Sequence, residues 1–269
     1  MSFKYDKYDK RHRFVRKLLI SVVSLIALIW VWWLVSEMSA TTAFPSPMET
    51  WNALVQFYNE GYTYTGSFWE TIGRSMNTFL KGVGLALIIA LPLGLLLGYY
   101  ALLNEFASPI IEVLKPIAPI AWAPILAIVF SSSATAGVLV VFIGIFFPLL
   151  TNISFGVKNI DSSIVDAART LGASKFAVVY KVLLPAAIPY MLNGLKIGLG
   201  IGWMCIVAAE MYSSSGGLGY MVATAGSVGD APMVMAAIIV IGLLGMCTVS
   251  ASEQLNRIVG RWVGINHDK

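Results

Sequence analysis

Charge is what this sequence has least of. Only 12% of its 269 residues are Asp, Glu, Lys or Arg, against about 25% in an ordinary soluble domain. Its mean hydropathy is +0.78. Cysteine and histidine are nearly absent too. Cys205 and Cys247 each sit inside an apolar run and His12 and His267 lie near the two ends, so there is no disulfide framework, no metal cluster and no histidine-based triad. The dipeptide Gly-Lys does not occur, which removes a phosphate-binding P-loop, and no HExxH is present. The string GLGIGW at Gly198–Trp203 lies in the middle of an apolar run, where a nucleotide loop has no place. No bound metal or cofactor, no catalytic constellation and no nucleic-acid partner is expected of this chain.

What the chain does have is long hydrophobic runs. A helix needs about 20 apolar residues to cross a bilayer, and six segments qualify: 18–37, 74–100, 109–130, 134–154, 186–211 and 232–252. None alternates polar and apolar residues as a barrel strand does, so helices are expected throughout. The first run, LLISVVSLIALIWVWWLV, follows Lys4, Lys7, Lys10, Arg11, Arg13, Arg16 and Lys17. It is longer than a secretory signal core and reads as a retained span (18–37) behind a basic tail (1–17). Trp30, Trp32 and Trp33 near its far end suit an aromatic belt.

Apart from Arg74, Lys81 and Lys196, the lysines and arginines fall on one side if the N-terminus is inside. The positive-inside rule then makes both termini cytoplasmic, with 253–269 as a C-terminal tail. Between the first two spans, residues 45–60 predict an external amphipathic helix. Ser46, Pro47 and Glu49 form its start signal, and Met48, Trp51, Val55 and Tyr58 share one face. Residues 74–252 form a five-helix core. In it the third segment, with Pro109, Pro116, Pro119 and Pro124, must be kinked or broken. Gly94 and Gly98, and Gly194, Gly198 and Gly202, repeat every four residues and mark close helix contacts.

Glu210 is the conspicuous acid at membrane depth. Two readings stay open for it: a structural pair or hydrogen bond, with Lys81 or Arg74 as partner, or a gate with Met211, Trp203, Met204, Gly198 and Gly202 along the pathway. The core is also interrupted by a polar loop, 159–185. There Asp161 or Ser162 can cap a helix that Gly172 ends, and a second short helix from about Ser174 stops before Pro185. Asp166, Arg169, Lys175 and Lys181 would be exposed, while Leu171, Phe176 and Val179 would pack.

That loop carries a specific resemblance. DAARTLGASKFAVVYKVLLP runs Asp166-Ala167-Ala168, three residues, Gly172, nine residues, Val182, Leu183, Leu184-Pro185. It resembles the EAA loop of ABC importer permeases, with Asp for Glu and Val for Ile. From FPSP to RIVGRW the chain is similar to the nitrate, sulfonate and taurine branch of that family, most of all in LPAAIPYMLNGLKIGLGIGWMCIVAAEMYSSSGGLGY. It departs from the branch at Thr78, where an arginine is usual, at Ser131, where Trp-Phe-Gly is usual across 129–131, and at Gly137, where a lysine is usual.

The resemblance implies a type I ABC importer permease fold in the inner membrane. It implies a pathway for a small anion, a second permease copy, two cytoplasmic ATPase subunits that bind ATP and Mg, and an external binding protein. Asp166, Ala167, Ala168, Arg169, Gly172, Ala173 and Lys175 would couple to the ATPase. An autonomous secondary transporter or channel is the alternative.

Overall fold

The computed structural model describes residues 10–39, 44–130, 133–213 and 216–262. Among them every regular element is helical, apart from one isolated bridge between Tyr62 and Gly66. Ser131 and the last seven residues lie outside this set.

Helix α1 (Lys10–Met38) starts inside the segment expected as a tail, because no Gly or Pro interrupts residues 10–17. Its apolar stretch is unburied. The Trp32 indole N–H donates to Pro45 O at 3.0 Å and joins α1 to the next element.

Helix α2 (Pro47–Glu60) has the capping box its sequence announces. Glu49 N–H donates to Ser46 Oγ and Ser46 N–H to the Glu49 carboxylate, hydrogen bonds that hold that carboxyl below its ordinary range. The face that packs on the bundle is not the one of large apolar residues. Thr50, Ala53 and Phe57 are buried, whereas Met48, Trp51, Val55 and Tyr58 are exposed. Small residues let α2 lie close to its neighbours, and the large apolar face points away.

Helix α3 (Phe68–Tyr99) is capped by Ser67. The segment expected at 109–130 is broken, as its prolines require, but begins earlier: α4 (Ala101–Leu114), a 3-10 turn (Pro119–Trp122) and α5 (Ala123–Phe130), with 83° between the two arms. Pro116 and Pro119 lack the N–H groups that would carry a helix through. Then come α6 (Ser133–Lys158), α7 (Ser162–Thr170), α8 (Lys175–Val178) and a π turn (Val179–Leu183). The chain continues through α9 (Leu184–Met211) and α10 (Leu218–Ser227), and α11 (Ala231–Trp262) completes it. Among the described residues five helices are long and apolar enough to cross a membrane, or six if the broken pair counts as one span. Helix α10 gave no clear signal in the sequence, and α11 runs on into the segment expected as a tail.

Helix α6 is the centre of the bundle. Gly82, Gly94 and Gly98 of α3 press against Val141, Ile153 and Val157 on one side. Gly194, Gly198 and Gly202 of α9 press against Leu149, Asn152 and Ile145 on the other. Ile145, Leu149 and Ile153 are fully buried as a result. Branched side chains on one helix enter the gaps that glycine leaves on two others, which is how helices gain dispersion energy where water is absent. Trp203 ties three helices together: it stacks on Phe79 with ring centroids 4.7 Å apart, and its indole N–H donates to Thr248 Oγ1 at 2.8 Å.

Candidate functional site

The polar loop is built as two capped helices around one glycine. The Asp161 carboxylate accepts from Ser163 N–H at 2.9 Å, which holds its carboxyl below the ordinary range. Helix α7 ends in a Schellman motif: Gly172 N–H donates to Arg169 O and Ala173 N–H to Ala168 O. Gly172 has φ +83°, a conformation other residues adopt at a cost, and its open surroundings leave that backbone angle as the only constraint there. Ser174 Oγ then accepts from Ala177 N–H and starts α8.

Val165, Ala168 and Ala173 pack against the core, and Val178 is fully buried. Asp166, Ala167, Arg169 and Lys175 are exposed. Two apolar side chains expected to pack do not: Leu171 is 88% exposed and Phe176 is 79% exposed. They project from the turn because alanine and valine already fill the inner face. Arg169 reaches back to the bundle. It donates to Tyr99 Oη at 2.7 Å, and Asp166 lies 3.9 Å from it on the other side. Tyr99 carried no signal in the sequence, since the partners are 70 residues apart.

The second short helix does not stop before Pro185. Helices α8 and α9 form one 37-residue helix, Lys175–Met211. Leu184 N–H donates to Val179 O, one residue farther back than in an α-helix. The wider turn gives the ring of Pro185, which has no N–H, room beside the preceding carbonyls.

At the other end of α9 lies Glu210, 4% exposed. Neither Lys81 nor Arg74 pairs with it. Arg74 forms an ion pair with Glu70. The Glu210 carboxylate instead accepts from Ser75 Oγ at 2.8 Å and from Gly219 N–H at 2.9 Å, while Leu218 N–H donates to Ser75 Oγ at 2.9 Å. Together Glu210 and Ser75 satisfy the first N–H groups of α10, which has no cap of its own. A Cβ at Gly217 (φ +113°) would fall 2.6 Å from the carboxylate, so only glycine admits this fit.

The remaining pathway candidates separate by face. Trp203, Gly198 and Gly202 are buried in the helix seams. Met204 (75% exposed) and Met211 lie on one open stripe with Asn193, Ile197 and Gly200. Thr78 and Gly137, two of the departures from the branch, are neighbours across α3 and α6.

A bundle of glycine-seamed helices long enough to cross a membrane, with one capped, outward-facing helical unit, is the architecture of a polytopic membrane protein. The relatives make this specific. Residues 82–264 match the binding-protein-dependent transport system inner membrane component family. A putative ABC transporter permease of Methanocaldococcus jannaschii is 42% identical over 70% of each chain. The taurine transport system permease TauC of Escherichia coli is 30% identical over 93% of this chain and 91% of its own. The nitrate import permease NrtB of Leptolyngbya laminosa is 35% identical over 86% and 81%. In fold, the chain matches the MetNI methionine ABC transporter in an inward-facing form. The TM-score is 0.60, with 22% identity, over 70% of this chain and 94% of the other. The chain belongs to the binding-protein-dependent inner-membrane component family. It is a multi-pass permease subunit with the type I ABC importer permease fold.

Proposed function

We propose that this permease imports a small oxyanion and takes its energy through the loop 159–185. Two copies form the pathway. Each docks its α7–Gly172–α8 unit in a groove of a cytoplasmic ATPase subunit, which holds the ATP and Mg. An external binding protein delivers the substrate, and both termini lie in the cytoplasm. The oxyanion class follows from the relatives named for taurine and nitrate.

The observation that carries the coupling role is the exposed pair Leu171 and Phe176. They stand on a turn whose backbone is fully capped and whose base is fixed by Val178 and the Arg169–Tyr99 bond. Exposed apolar side chains on a rigid polar unit suit a protein partner. Closure of the ATPases would then move the unit as a rigid body between two packed states of the bundle. The ion-coupled alternative needs free acidic groups at membrane depth, and Glu210 is already committed to the start of α10.

The test is purification under mild conditions followed by reconstitution. An ATPase subunit is expected in equal amount. Gly172→Pro, or removal of residues 166–172, should abolish ATP-driven uptake while membrane insertion persists. Transport by the permease without an ATPase would overturn the proposal.

A further inference from the structure

Helix α3 carries a polar stripe that packing inside the subunit does not account for. Glu70, Arg74, Asn77 and Lys81 follow one another at spacings of four, three and four residues, and all four are exposed. At 100° per residue they share one side of the helix. The buried seam of Ser75, Phe79 and Gly82 faces away from them, and the exposed apolar residues Trp69 and Leu80 lie on the stripe's other flank. Beyond Lys81 the same side turns apolar with Leu85 and Ile88. The stripe therefore enters from the Phe68 end and stops at a lysine.

Lys81 stands thirteen residues from Phe68 and eighteen from Tyr99, about 4 Å from the middle of the helix. With a hydrocarbon core of about 30 Å centred on this helix, the nearer boundary is about 11 Å away along the axis, farther than a lysine side chain extends. Facing lipid there would be costly.

Away from the end of the bundle that carries the loop 159–185, three lysines or arginines lie in the core spans among the described residues: Arg74, Lys81 and Lys196. Arg74 is paired with Glu70, and Lys196 lies 3.4 Å from Glu253. Lys81 has no ion pair or hydrogen bond among the described residues. Of the three it is the one with no acid as partner among the described residues.

We propose that Lys81 meets the negative charge of the transported anion halfway across the bilayer, at the inner end of a water-filled groove lined by Asn77 and Thr78. This rests on the oxyanion reading above. The groove's polarity gives an anion a hydrated approach, and the single ammonium gives it a place to pause that one charge can leave again.

The test uses the assembled transporter in proteoliposomes, in a background with Cys205 and Cys247 replaced by alanine. Lys81→Cys should react with an anionic, water-soluble thiosulfonate, and Leu80→Cys should not. Equal inertness of the two would overturn the proposal, by putting Lys81 against lipid or against a sealed subunit interface. In the native background, uptake of labelled taurine, nitrate and bicarbonate is measured. Lys81→Arg should retain uptake of whichever anion the wild type carries. Lys81→Gln should lower it by about tenfold or more, the loss of one charge-assisted contact. If Lys81→Gln transports at the wild-type rate, this assignment fails and the oxyanion reading stands. If the wild type carries none of the three anions, the oxyanion reading fails and the assignment falls with it.

Discussion

At the scale of single residues, Glu210 is the case where sequence and structure part most clearly. Its type and its place in an apolar helix mark it as important, and that much is readable from the chain. Its partners are not, because Ser75 lies 135 residues away and α10 begins only after a glycine-rich turn. A buried carboxylate with a hydroxyl and an amide N–H aimed at it has a structural occupation. Ser75→Ala should leave Leu218 N–H without an acceptor and lower stability by about 1–3 kcal/mol, seen as an earlier thermal transition in detergent. Glu210→Gln keeps an acceptor for Gly219 N–H and should lose less, with uptake preserved. A large transport defect in a thermally intact Glu210→Gln protein would restore the gate reading. Arg169 and Tyr99 were unequal in the same way: the arginine stands inside a recognisable motif, and the tyrosine that fixes it does not.

At the scale of elements, much was legible. The capping box of α2, the break among the prolines, and the glycine repeats all appear as read. Each is a local rule, complete within one turn or two. What escaped were choices that depend on neighbours. Either face of α2 has apolar residues enough to pack, and the smaller one won because it lets the backbone approach. Pro185 looked like a stop, but a single widened turn carries the helix past it. The glycine seams give a direct comparison within α9. Gly198 meets Ile145 at once, whereas a Cβ at Gly200 meets nothing within 4 Å. Gly198→Leu should destabilise the bundle by about 1–3 kcal/mol through overpacking, and Gly200→Leu should leave the melting temperature nearly unchanged. Equal effects of the two would mean that the seam does not set the packing.

At the scale of the whole molecule, composition and the spacing of the loop motif were enough for the class, because six apolar runs and one long-range pattern survive without knowledge of contacts. The order of helices around α6 was not readable, since every span is apolar on most sides and periodicity cannot rank faces. The exposed tip of the loop offers a test at this scale. Phe176→Glu removes no packing inside the subunit, so expression and thermal stability should hold. It should, however, cut recovery of the ATPase on the permease. Retention of the ATPase at wild-type level would show that Phe176 is not in the docking surface.

The continuous helix from Lys175 to Met211 has a mechanical consequence. At 1.5 Å per residue it is a rod of about 55 Å. One end carries the exposed turn with Leu171 and Phe176, and the other carries the carboxylate that seats α10. A small tilt imposed at the first end becomes a sideways sweep at the second, scaled by the ratio of the arm lengths about its contact with α6. The glycines beside that contact act as the bearing. If the ATPase pushes on that turn as proposed, the stiffness of one helix sets how large a stroke the far side of the membrane receives.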